Sequence, residues 1–283
     1  MAIAKQCQPD VEAILAKRHD NGDDYWTTPD RRLMKGSPFT TLDCALMLSE
    51  LGMDSSEPVL RETADLILSI WREDGRFKVS PQGAIYPCHT INAARTLCHL
   101  GYASDTRLQK TLDHLLEIRH SDGGWRCNKF SFGKGPETEF SNPGPTLLAL
   151  DAFRSTHFLN TDEALDKAVE FLLDHWETRK PIGPCHYGIG TLFMQVTYPF
   201  FNYNLFFYVY VLSFYKKAKK DQRFLEALGV LEAKLKNGKM IVERPNQKLA
   251  GFIFCKKGEP SDLATERYHE ILKNLERNHE IPG

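Results

Sequence analysis

A leucine followed six residues later by a turn recurs along this chain, and that recurrence limits the fold more than any other feature. Leu15 leads to Asn21-Gly22, Leu68 to Asp74-Gly75, Leu116 to Asp122-Gly123 and Leu231 to Asn237-Gly238. A fifth unit begins at Leu173, with Arg179-Lys180-Pro181 in place of the glycine turn. The anchors lie 48 to 58 residues apart. A large apolar residue follows each glycine turn: Tyr25 and Trp26, Phe77, Trp125 and Met240. Glycine ends a helix without a Cβ penalty because it accepts the left-handed conformation. A period of this length marks supersecondary units that bury their apolar faces only against one another.

Downstream of each turn a proline opens a new apolar segment. These prolines are Pro38, Pro87, Pro143, Pro199 and Pro260. Proline suits the first turn of a helix, where its missing N–H costs nothing. The unit therefore reads as helix, turn, aromatic, loop, proline, second helix. The first helix is amphipathic, with Leu112, Leu115 and Leu116 against Asp113, His114 and Glu117, as an outer helix requires. The second is apolar on nearly every side, as in Phe200 to Tyr210, and must be buried. No segment alternates like a strand for a useful length. The expected fold is all-α, an α/α toroid of about five hairpins with inner and outer helix rings, closed or left as an arc. One domain spans 1–283, with repeats near 11–53, 64–103, 111–156, 166–216 and 224–277.

Formal net charge is -1 and no basic stripe stands out, so nucleic acid is not an expected partner. Seven irregularly spaced cysteines and no apolar signal region at the N-terminus point to reduced thiols in the cytoplasm. Residues 188–215 carry no charge and are long enough to cross a bilayer. Gln195, Asn202, Asn204 and Pro199 interrupt them, so a buried helix or a membrane-touching surface is expected instead of a span.

Asp122 to Trp125 read DGGW, with variants DGRF at Asp74 to Phe77 and NGDDYW at Asn21 to Trp26, and segments such as SPFTTLDCALMLSELG follow the turns. This rhythm resembles the terpene cyclase and protein prenyltransferase superfamily, the prenyltransferase and squalene oxidase repeat, over nearly the whole chain. The resemblance implies an α/α toroid whose lumen holds an isoprenoid-like apolar ligand, with a transferase or cyclase activity as one outcome. The chain lacks the Asp-X-Asp-Asp motif with which class II cyclases protonate substrate, so that chemistry is not expected. Prenyltransferases hold zinc with Asp, Cys and His at inner-helix starts, and YPCHT at Tyr86 to Thr90 resembles that placement.

Cys127 and Cys185 fall at nearly equivalent places after Leu116 and Leu173, and Cys88-His89 follows Pro87. In a toroid these loops share one end, so Cys88, His89, Cys127, Cys185 and His186 form a candidate zinc set. The alternative is that each cysteine is a small buried hydrophobe. Expected ligand contacts are Tyr86, Tyr187, Tyr198, Phe201, Asn202 and Tyr203. Aromatics at helical spacing serve equally as core. Trp26, Phe77 and Trp125 are expected to plug the joints between hairpins. Two other functions stay open: a non-catalytic toroid that binds a protein partner, and a carbohydrate-active toroid using loop carboxylates such as Asp23, Asp24, Glu137 and Glu139.

Overall fold

The repeat becomes helices where the glycine turns and apolar faces dictate. The computed structural model describes residues 7–276; the two ends of the 1–283 span, with position 277 of the last repeat, lie outside them. Among the described residues there are eleven helices, 48% of the structure is helix, and one two-stranded sheet is present. The chain is all-α. It forms two compact units, divided in sequence between Ile118 and Arg119. That division falls inside the third repeat, after its first helix.

The first unit contains α1 (Gln8–Ala16), α2 (Thr41–Glu50), α3 (Pro58–Ser69), α4 (Pro87–His99) and α5 (Thr106–Glu117). Consecutive helices pack on one another, and α2 also packs on α4. The second unit contains α6 (Pro143–Phe153), α7 (Glu163–Thr178), α8 (Leu205–Leu212), α9 (Lys216–Lys219), α10 (Gln222–Glu232) and α11 (Asp262–Glu276). There α8 is touched by α6, α10 and α11, and α7 by α6, α9 and α10. So in each unit the apolar helices pack on one another, α2 on α4 and α6 on α8, while the amphipathic α11 lies on α8 and buries Ala264, Thr265, Tyr268 and Ile271. Every residue of α8 is buried, as its all-round apolarity requires. Helix α5 buries Leu108, Thr111, Leu112 and Leu115 and exposes Asp113 and Glu117.

The glycine of the turn is needed for packing as well as for stopping the helix. Gly75 has φ +81°, and a methyl there would lie 3.0 Å from the Lys110 carbonyl on α5. Gly123 has φ +91°, and a methyl would lie 2.8 Å from the Lys167 carbonyl on α7. These two turns thus let a later helix, α5 or α7, approach to backbone contact. The aromatics that follow the turns, Trp26, Phe77 and Trp125, are fully buried. A threonine hydroxyl on a following helix accepts from the backbone of Phe77, Trp125 and Met240. Thr90 accepts from the Phe77 N–H at 3.2 Å, Thr146 from Trp125 at 3.0 Å and Thr265 from Met240 at 3.0 Å.

Two local expectations are corrected. Pro87 and Pro143 do open helices, but Pro38 and Pro199 follow cis peptide bonds and stand ahead of theirs. Helix α2 starts after Thr40, whose hydroxyl accepts from Asp43 N–H, and α8 starts only after Asn204, which accepts from Phe207 N–H. A capping side chain satisfies an orphan N–H that proline cannot. Asn237-Gly238 is also not a plain helix stop. Both residues have positive φ and join β1 (Leu235–Lys236) to β2 (Lys239–Met240), the hairpin turn that Asn-Gly favours. The uncharged 188–215 segment is helical only over α8 and a short turn, and among the described residues no helix is long and apolar enough to cross a membrane.

Candidate functional site

The stretch DGGW organises the loops of the second unit. Asp122 accepts from the Ser141 N–H at 2.7 Å, the Ser141 hydroxyl at 2.6 Å and the Gly124 N–H at 3.1 Å. This clamps the turn after α5 to the start of α6. Asn142, the residue before α6, accepts from the Cys127 N–H at 2.6 Å. Gly183 then brings a third loop in, since a methyl there would lie 2.5 Å from the Ser141 carbonyl. Tyr187 lies across Gly144 in the first turn of α6, where a methyl would meet its ring at 2.5 Å.

These approaches place Cys185 against Cys127. The Cys185 thiol donates to the Cys127 carbonyl at 3.5 Å and lies 3.7 Å from the Phe130 carbonyl. Burial pushes the Cys185 thiol above its ordinary value, and the Cys127 sulfur adds to this. His186 is directed elsewhere, with Nε2 3.4 Å from Glu137 Oε1. Cys88, His89 and Tyr86 belong to the first unit, where Tyr86 caps α4 and stacks edge-on against His89. Zinc takes four donors, favouring thiolates. Among the described residues no three His, Cys, Asp or Glu side chains group to hold a metal. The Cys127–Cys185 pair alone does not fit a zinc site, and nothing below is routed through a metal.

The expected ligand residues separate. Tyr187 and Tyr203 meet edge to face with ring centres 5.8 Å apart. Tyr198 is fully buried in a cluster with Phe200, Phe206 and Phe254. Phe201 is half-buried and Asn202 exposed. Tyr203 introduces a partner that sequence reading passed over, His175 on α7. The His175 Nδ1 lies 2.9 Å from the Tyr203 hydroxyl and Nε2 3.0 Å from the Lys180 carbonyl. A carbonyl can only accept, so Nε2 carries the proton and Nδ1 accepts from the tyrosine. Burial holds this imidazole neutral, with its pKa lowered to about 4. His175 falls on the apolar stripe of α7 beside Phe171 and Leu172, a buried polar position visible in the sequence but without a partner to name.

Beside this dyad lies a cavity of about 940 Å³. Phe140, Phe171, Pro136, Pro181 and Ile182 supply apolar wall, and His175 closes one side. Lys167, Lys180, Glu137 and His186 add charged or titratable groups. Two further carboxylates at its edge are already engaged. Glu170 pairs with Lys217 at 2.8 Å and with Arg223 at 2.6 Å, and Asp174 pairs with Arg223 at 2.6 Å. The cavity is built on the amphipathic helix α7 and nearby loops, not on the aromatics of α8. The residues that line it were legible only in part: Glu137 and His186 were singled out, and Phe171, Ile182 and Lys167 carry no motif.

No family model matches this chain, and no curated protein matches it either.

Proposed function

We propose that this protein binds an isoprenoid-like apolar ligand and that its chamber is the cavity beside α7. The cavity itself carries this reading. Its 940 Å³ lies within the range of small-molecule sites, and such sites combine apolar walls with a few placed polar groups. A prenyl chain would lie along Phe140, Phe171 and Ile182. A polar or anionic head would meet Lys167, Lys180 and His186. The Tyr203–His175 pair keeps the adjoining wall rigid and uncharged, which favours a greasy occupant. The hairpin ring stays part of the proposal. Apolar helix packed on apolar helix, as in α2 with α4 and α6 with α8, supports it.

The test is mass spectrometry of organic extracts from the purified full chain, alongside Phe171→Asp. A co-purifying lipid present in the wild type and lost in the variant supports the reading. A chain that carries no lipid, and whose melting temperature is unmoved by farnesol, overturns it. A shift with an oligosaccharide instead would favour the carbohydrate reading. Metal analysis of untagged protein tests zinc separately: a stoichiometric metal that is lost in Cys127→Ser and Cys185→Ser would overturn the metal-free reading of that pair.

A further inference from the structure

The loop that follows Cys127 does something the cavity does not explain. Residues Asn128 to Lys134 read NKFSFGK. Phe130 and Phe132 are 52% and 68% exposed, unusually high for phenylalanine. They are also ordered against each other, stacked with ring centres 5.7 Å apart and planes 19° apart. Their spacing by two puts both rings on one side of extended chain. The loop is fastened from behind, since the Phe132 N–H donates to the Pro184 carbonyl at 2.9 Å. Two aromatic rings are therefore held out into water by a fixed backbone.

Charge decides what covers them. Lys129 and Lys134 flank the pair and are exposed, and Lys129 Nζ sits 5.5 Å above the Phe130 ring. From Cys127 to Gly135 there is no acidic residue. The neighbouring Glu139 faces Arg126 at 3.6 Å. Aromatic rings settle at the headgroup level of a bilayer, and lysines beside them bind anionic lipid. We propose that loop 128–134 is a docking surface for an anionic lipid bilayer, with Phe130 and Phe132 inserting and Lys129 and Lys134 meeting the headgroups. The aromatic pair supplies the apolar signal and the lysines the electrostatic one, and stable attachment generally needs two such signals. This surface is independent of what the cavity holds. It also differs from the 188–215 segment, whose apolar helix is buried.

The experiment is co-sedimentation of the full chain with vesicles of phosphatidylcholine alone and of phosphatidylcholine mixed with phosphatidylserine. The wild type is expected to pellet with the mixed vesicles, and less so as salt is raised. Lys129→Ala/Lys134→Ala should weaken that partition roughly thirtyfold, since each basic residue at an anionic surface contributes about fivefold. Phe130→Ser/Phe132→Ser should abolish pelleting with either vesicle. Both pairs are exposed, so their thermal melts should match the wild type. If the double phenylalanine variant melts lower, Phe132→Ser alone replaces it. A wild type that stays in the supernatant with both vesicles overturns the proposal. So does pelleting that neither pair of substitutions changes. Wild-type dimerisation removed by Phe130→Ser/Phe132→Ser, without vesicle binding, would instead assign the pair to a second copy of the chain.

Discussion

Gly123 shows how one residue can serve two constraints. Its φ of +91° is costly for any L side chain, and the backbone of α7 stands where a Cβ would go. Gly238 has φ +74° as well, but open space around it. Gly123→Ala should therefore cost about 2–4 kcal/mol, left-handed strain plus overpacking, while Gly238→Ala should cost about 1 kcal/mol. Urea unfolding of both variants checks this, and equal losses would show that α7 simply moves aside. The helix-stopping role of Asp122-Gly123 was legible from its neighbours in sequence. The contact with Lys167 was not, because Lys167 belongs to the next outer helix. Asp122 is similar. It reads as a turn residue, and the structure makes it the clamp on Ser141.

Among elements, the apolar helices of the second unit are tied by a polar ladder as well as by burial. Asp151 on α6 and Arg154, which caps its C-terminal end, pair at 2.6 Å with side chains 1% and 14% exposed. The guanidinium lies 4.6 Å from the Phe214 ring centre and 5.2 Å from that of Tyr210. The Tyr210 hydroxyl donates to Glu270 on α11 at 2.8 Å, and Glu270 also pairs with Arg267 at 2.7 Å. Removing one partner of a buried pair strands the other charge. Asp151→Ala is expected to destabilise by about 3–5 kcal/mol, whereas Asp151→Ala/Arg154→Met should lose markedly less. A double-mutant cycle in urea measures this, and additive losses would mean that the pair is not coupled. Amphipathic and all-round apolar helices were legible at this scale, because amphipathy is a local pattern. The threonine acceptors at Thr90 and Thr146, each three residues after the opening proline, were also present in the repeat. Their meaning needed the aromatic N–H that they face.

For the molecule as a whole, the buried His175 and the partly exposed Asp43 give the two units opposite responses to acid. His175 in the second unit has its pKa lowered to about 4 by burial. The unfolded chain therefore binds the extra proton first, and the stability that His175 contributes is lost as pH falls from about 6.5 towards 4, up to about 3 kcal/mol. Asp43 in the first unit has its pKa raised to about 6, by burial acting against Thr40 and Arg95. Here the folded state holds the proton longer, so stability is lost as pH rises from about 4 to 6. Hydrogen-exchange mass spectrometry reads the units separately between pH 7 and pH 5. Over that range the His175 contribution should weaken the second unit and the Asp43 contribution should strengthen the first. His175→Gln should remove the first effect and Asp43→Asn the second. Protection that changes alike in both units, whichever group is substituted, would sink this account.

What the amino-acid sequence determined by itself is the run of helices: where most of the amphipathic ones stop, which segment is apolar all round, and which aromatics are buried after the turns. Those properties follow from helix stops and periodicity, which act between residues a few places apart. Tertiary structure alone decided that Tyr203 finds His175, that His186 faces Glu137, and that the cavity lies against α7 while Tyr198 is buried. Each of these depends on how closely one loop backbone can approach another, as at Gly183 and Gly144. That distance is set by packing among segments far apart in the chain, and no pattern within a single segment encodes it.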